Sequence, residues 1–205
     1  METEAGKRDA VIFRAEDATG GSPFKILLFT MLSARTRDEA TMKATERLFK
    51  RAKTPKQIRS LDVRSLERLL SGVGFFRTKA RHLMKTCRLL EDKDGTIPNS
   101  LEGLLALPGV GRKTANIVLA RAFHKNTVGV DVHVHRISNR LGIARTKKPE
   151  ETERALVSVI PEALLPKLNR SFVAYGQTVC LPRRPRCSAC AIRHLCARAG
   201  VSSFA

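Results

Sequence analysis

The sequence predicts an all-α protein of about ten helices. Three observations carry that reading. Apolar residues recur at three- and four-residue intervals in nearly every segment, the period of a helix face. Only one segment, Val128 to His135, alternates as a strand would. The composition is that of a globular chain, 42% hydrophobic and 28% charged over 205 residues, with no internal repeat and no low-complexity linker. That length allows one large domain or two small ones. It is enough to bury about 70% of the surface that the unfolded chain exposes.

The helices follow in order. Ser22-Pro23 is a start signal with Pro in the first turn, and Leu27, Leu28, Met31 and Leu32 continue at helical spacing. Thr41 to Phe49 repeats the pattern, and Pro55 stops it. Leu61, Leu66, Leu69 and Leu70 form the next apolar stripe, broken by Gly72 and Gly74. Thr78 to Leu90 is helical and ends near Asp94-Gly95. It contains Cys87, read as a small buried residue. Ser100 caps Leu101 to Leu107. Pro108-Gly109-Val110-Gly111 is a tight turn, and the Ala-rich stretch Thr114 to Phe123 is the helix behind it. Glu151 to Ile160 and Leu168 to Tyr175 complete the set.

Thirty-eight Lys and Arg against 19 Asp and Glu give a net charge of +19. Such a field draws a protein to polyanions, chiefly nucleic acid or an anionic membrane surface. The membrane is disfavoured. No stretch reaches the ~18 uncharged apolar residues of a span, and no amphipathic anchor or lipidation signal is present. Met1 to Asp9 has neither the apolar core nor the cleavage site of a secretory signal. The expectation is a nucleic-acid-binding protein of the cytoplasm.

Residues 180–200 differ in kind. They hold five Arg, no acidic residue and four cysteines, Cys180, Cys187, Cys190 and Cys196. Cytoplasmic thiols are kept reduced, so clustered cysteines there read as metal ligands. The spacing Cys-x6-Cys-x2-Cys-x5-Cys suits a zinc ion or an iron–sulfur cluster. Gaps of six and five are wide for paired zinc knuckles, which tilts the reading toward a 4Fe–4S cluster. The loop is too poor in apolar residues to fold without such a ligand.

The Gly109-Val110-Gly111 turn joins two helical stretches. Glycines there allow positive φ and the close approach of another backbone. The N–H groups that open the second helix then point outward, where they can hold a phosphate. Arg112 and Lys113 add charge, which suits sequence-independent binding to a DNA backbone. A bare Gly-x-Gly turn would serve equally well between any two packed helices. The flanking Leu-Pro and Arg-Lys-Thr-Ala, with the overall charge, favour the phosphate.

Leu107-Pro-Gly-Val-Gly-Arg-Lys-Thr-Ala-Asn-Ile-Val-Leu119, followed by Val130-Asp-Val-His-Val-His-Arg136, resembles the endonuclease III family of DNA glycosylases. Ser22 to Ala34 is similar to that family's first barrel helix, and the resemblance runs from about residue 20 to 197. It implies two helical lobes with a DNA-binding cleft between them. One lobe is a helix–hairpin–helix barrel at residues 17–125. The other joins residues 1–16 to 126–205 and carries a structural 4Fe–4S cluster on the four cysteines of loop 180–196. That loop would bring Arg183, Arg184, Arg186 and Arg193 to DNA phosphates. The reading of those arginines as a solvated basic face stands beside it.

Lys113 lies in the first turn after the glycines. The positive helix end, Arg112 beside it and partial burial disfavour an ammonium there, a route to the neutral amine that attack requires. Asp131 stands before Val132–Leu141, where a helix N-cap is the ordinary role. The resemblance implies more: Lys113 as the nucleophile on the sugar C1′, and Asp131 as the carboxylate that stabilises the cationic sugar and shuttles protons. Schiff-base formation and β-elimination would follow. It also implies that Phe75 wedges into the duplex and that Arg35 fills the space left by the flipped base. Arg35 departs from the family's usual Gln, and Phe75 is bulkier than its usual aliphatic wedge. Phe75 reads otherwise as a core aromatic, and Arg35 as a phosphate anchor. His133 and His135 are two apart, a spacing that shares no helix face, so no metal site is read there.

The expectation is therefore a bifunctional DNA glycosylase and abasic-site lyase for oxidised pyrimidines. It would act as a monomer on damaged or abasic double-stranded DNA in a prokaryotic nucleoid. The alternatives are a mismatch-specific glycosylase for thymine or uracil opposite G, or a non-catalytic iron–sulfur DNA-binding protein. Neither accounts for Lys113 and Asp131 together.

Overall fold

A computed structural model describes residues 10–205, and the reading of Met1–Asp9 lies outside them. The described residues are helical, with no strand among them. They divide into two compact units, one of Ala15–Phe123 and the other of His124–Ala205 together with the described residues before Ala15. Helix α1 is Val11–Thr19.

The unit of residues 15–123 holds α2 Pro23–Ser33, α3 Asp38–Arg51, α4 Pro55–Arg59, α5 Val63–Leu69, α6 Phe76–Glu91, α7 Leu101–Leu105 and α8 Arg112–Phe123. Ser22 accepts from the Lys25 N–H and starts α2 with Pro23 behind it. Helix α2 buries Phe24 and every residue from Ile26 to Leu32, and packs on α8 and α3. The stripes read from the sequence meet around it: Leu27, Leu28, Leu48, Leu66, Leu70, Leu83, Leu90 and Leu104 form one core. Cys87 is fully buried in it. Burial, and behind it the Glu91 carboxylate, pushes the Cys87 thiol up to about 12.

The other unit holds α9 Val132–Leu141, α10 Pro149–Val159 and α11 Leu165–Thr178, with short 3-10 turns at Glu162–Leu164 and Arg193–Leu195. Val134, Ile137, Leu156, Phe172 and Tyr175 form its core. Two helices lie outside the expected set, α1 and α4. Pro55 does not only end α3; it opens α4, with Thr54 accepting from the Gln57 N–H as cap. The strand-like alternation at 128–135 is not a strand. Val128 and Val130 are buried in irregular chain, and Asp131 then starts α9 by accepting two backbone N–H groups. Period-two burial needs a partner strand to become a ladder, and none lies beside it among the described residues.

Candidate active site

The hairpin is built from α7, the turn 106–111 and α8. Val110 N–H donates to Leu107 O at 3.1 Å, and the Thr86 hydroxyl on α6 donates to Pro108 O at 3.1 Å, which fastens the turn to the core. The two glycines do different work. Gly109 has φ 81°, and a Cβ there would lie 2.6 Å from His82 Nδ1, so the fold itself demands glycine. At Gly111 the φ is not positive and a Cβ would meet nothing within 4 Å. The fold places no such demand on it. Gly111 O accepts from Ala115 N–H at 2.9 Å, so Gly111 is the cap of α8, with Arg112 and Lys113 in the first turn.

Lys113 is half-buried. A second lysine that the sequence reading passed over stands near it. Lys79 Nζ donates to Leu32 O at 2.7 Å, Ala34 O at 2.5 Å and Thr36 Oγ1 at 3.0 Å. Burial, and behind it the charge of Lys113, pushes the Lys79 ammonium down to about 8. No sequence pattern marks this lysine, because its partners, two main-chain carbonyls and one hydroxyl, lie more than 40 residues away in the chain.

Arg35 and Phe75 are both exposed, and Phe75 keeps 65% of its surface. Phe76, the next residue, is the one that packs on the core. Both Arg35 (φ 52°) and Phe75 (φ 57°) sit in the left-handed region that L side chains avoid. The Arg35 guanidinium lies 6.0 Å from the centre of the Phe75 ring.

Asp131 belongs to the other unit. Its Oδ1 accepts from the His133 and Val134 N–H groups, both at 2.9 Å. Capping therefore uses one carboxylate oxygen and leaves Oδ2 outside those bonds. His133 and His135 go separate ways. His133 Nδ1 is 3.2 Å from Arg136 Nη2, and His135 Nδ1 is 2.7 Å from Thr152 Oγ1.

Cys180, Cys187, Cys190 and Cys196 are unpaired thiols that line one cavity with Ile137, Arg140 and Tyr175. Burial raises the Cys187 thiol, and the other three cysteines raise it further. The Tyr175 hydroxyl donates to Cys190 Sγ at 3.1 Å, Arg140 Nη1 to Cys180 Sγ at 3.4 Å and the Arg198 N–H to Cys196 Sγ at 3.4 Å. Among the described residues no three His, Cys, Asp or Glu are grouped tightly enough for a single ion. Four sulfurs around one cavity, three of them with donors, fit a larger thiolate-held cluster. Arg140 also donates to Leu181 O and Pro182 O, and Arg136 to Cys180 O and Gly176 O, so α9 holds the root of the loop. Arg183 and Arg184 are exposed. Arg186 turns back, its Nη1 donating to Thr178 O at 3.2 Å, and braces the loop. Arg193 lies over Phe204.

A Gly-x-Gly turn joining two helices of an otherwise all-helical unit makes this a helix–hairpin–helix protein. The chain belongs to the HhH-GPD superfamily of base excision DNA repair proteins, whose model matches residues 28–162. It is 47% identical over 175 residues to Endonuclease III of Thermotoga maritima, covering 85% of this chain and 82% of that one. It also matches a solved non-covalent Endonuclease III–DNA complex with a TM-score of 0.80 and 33% identity, over 91% of this chain and 92% of that one. A trapped Endonuclease III–DNA covalent intermediate, an estranged-adenine complex, matches with a TM-score of 0.80 and 33% identity over 97% of both chains. With these relatives, the protein is a DNA glycosylase and abasic-site lyase of the endonuclease III type. No helix among the described residues is long and apolar enough to cross a membrane.

Proposed function

We infer that Lys113 and Asp131 are the catalytic pair, and that the substrate is double-stranded DNA carrying oxidised pyrimidines or abasic sites. The observation that carries this is the position of Lys113: half-buried in the first turn of α8, directly behind Gly109–Gly111, a hairpin fit for a DNA phosphate. A phosphate held at Gly111 and Arg112 fixes the sugar next to the amine. Lys113 Nζ attacks C1′, the C1′–base bond breaks and the base departs with the electron pair. Asp131 Oδ2, outside the capping bonds, stabilises the cationic sugar and moves protons. The C1′–O4′ bond then opens, O4′ leaving as a hydroxyl with the proton given up by the amine, and the Schiff base that results makes the C2′ proton acidic. Its removal expels the 3′ phosphate by β-elimination.

Cys180, Cys187, Cys190 and Cys196 would hold a 4Fe–4S cluster. When bound, it supplies cohesion to the loop rather than chemistry at the sugar. Arg183 and Arg184 then lie on an exposed loop able to meet phosphates. The protein acts as a monomer in the cytoplasm, on nucleoid DNA.

Borohydride reduction in the presence of abasic DNA tests the pair. The wild type gives a covalent protein–DNA complex, and Lys113→Gln gives none. A trapped complex with Lys113→Gln, or strand cleavage at the wild-type rate, would overturn the assignment.

A further inference from the structure

Arg35 and Phe75 come from segments 40 residues apart in the chain, yet both adopt left-handed backbone and stack on one another. Two such residues persist only where the surroundings fix them. The structure shows what does so. A Cβ at Gly74 would run into the Arg35 carbonyl oxygen, so the two backbones are in direct contact. The Thr36 hydroxyl accepts from the Gly74 N–H at 3.1 Å, and Lys79 reaches the same hydroxyl. The Lys79 ammonium takes Leu32 O and Ala34 O at the end of α2. Those carbonyls are the negative end of that helix, where a cation is favoured. Phe75 is the N-cap of α6, the helix that carries Lys79, so tying this side chain to the end of α2 ties the start of α6 to the Arg35 turn.

We propose that Lys79 is a positioning residue that fastens the Arg35 turn to the Phe75 loop, so that the two side chains enter the duplex as a single unit when a base is expelled. The proposal rests on the glycosylase reading above, and deepens it. A flipped nucleotide leaves a hole with two faces, a neighbouring base pair and an orphaned partner base. A wedge and a filler locked at fixed separation meet both at once. Two independent loops would each have to be ordered on binding. The lock involves main-chain acceptors, so it sets position without touching DNA.

The experiment uses Lys79→Met, Lys79→Arg and Thr36→Val in the full-length protein. For each, single-turnover base excision from a fully paired lesion duplex is compared with strand cleavage at a preformed abasic site, where no base remains to be expelled. Fluorescence of 2-aminopurine beside the lesion reports unstacking directly. Lys79→Met is expected to lower the ratio of excision to abasic cleavage at least tenfold and to reduce the 2-aminopurine signal by a similar factor. Lys79→Arg should recover most of both. Combining Lys79→Met with Arg35→Ala and Phe75→Ala should add less than twofold to the loss that the latter pair causes. A parallel fall in the two activities, or no change in either, overturns the proposal. If Lys79→Met does not fold, Thr36→Val decides, with the same ratio expected to fall severalfold. Borohydride trapping of the wild type on abasic DNA is run alongside. Its failure would strike the catalytic reading, whereas an unchanged ratio with trapping intact strikes only the lock.

Discussion

Replacing each hairpin glycine by alanine separates the fold's demand from the ligand's. At Gly109 an L residue must adopt φ 81°, which costs ~1–2 kcal/mol, and its Cβ would press on the His82 ring. For a chain of this size each kcal/mol is worth about 2–4 °C, so Gly109→Ala should melt roughly 2–8 °C lower. At Gly111 the methyl meets nothing within 4 Å. The remaining cost is the weaker capping of alanine, roughly 0.5 kcal/mol, and the melting point should fall by no more than about 2 °C. The order reverses for DNA. If the hairpin holds a phosphate, a methyl at 111 competes with it for that open space, and losing a charged hydrogen bond costs ~1.5–3 kcal/mol. That is roughly ten- to hundredfold in Kd. Fluorescence anisotropy with a duplex holding a stable abasic analogue, titrated at several salt concentrations, measures it. The slope of log K against log salt should also fall by ~0.9 for one lost phosphate. Wild-type affinity and slope in Gly111→Ala would refute the phosphate reading, leaving the turn as a connector.

Three further outcomes are expected. Asn caps a helix as well as Asp, so Asp131→Asn should melt within about 2 °C of wild type yet lose ~10²–10⁴ in turnover; half the wild-type rate would make Asp131 a cap and nothing else. Cys187→Ser should lose the yellow-brown absorbance near ~400 nm of an iron–sulfur protein and its DNA affinity, and a colourless, zinc-loaded wild type that is active would contradict the cluster. Arg35 only donates, and guanine offers it O6 and N7, so excision opposite G should exceed excision opposite A by roughly tenfold in wild type, a preference reduced in Arg35→Gln; equal G-to-A ratios in the two proteins would leave Arg35 as a phosphate anchor.

The helices were legible because their signals are local. Ser22-Pro23, Ser100 and the leucine stripes each specify an element within a few residues, and the structure uses all of them. The strand-like run at 128–135 misled because alternation reports one-sided burial, not pairing. Asp131 was readable as a cap, since capping is a short-range bond. Phe75 reads from its sequence as wedge or core, and the choice against the core lies in packing: Phe76 takes the core place and Phe75 stays exposed. Lys79 was illegible altogether. Two of its three partners are carbonyls more than 40 residues away, and a carbonyl has no letter in the sequence. The same holds for Arg136 and Arg140, whose roles are bonds to the main chain of the cysteine loop. Arg186, a DNA contact by the resemblance, also gives Nη1 to Thr178 O, and that acceptor too has no letter in the sequence.

The fifth cysteine has a practical consequence. Alkylating reagents attack thiolates they can reach, and Cys87 is neither ionised at neutral pH nor accessible. Mass-spectrometric counting of carbamidomethyl groups therefore becomes a gauge of the loop. Native protein with its four loop thiols engaged should take up none, and protein stripped by a chelator should take up four. Only guanidinium should release the last, so the fifth adduct reports unfolding of the helical core and the first four report the state of the loop.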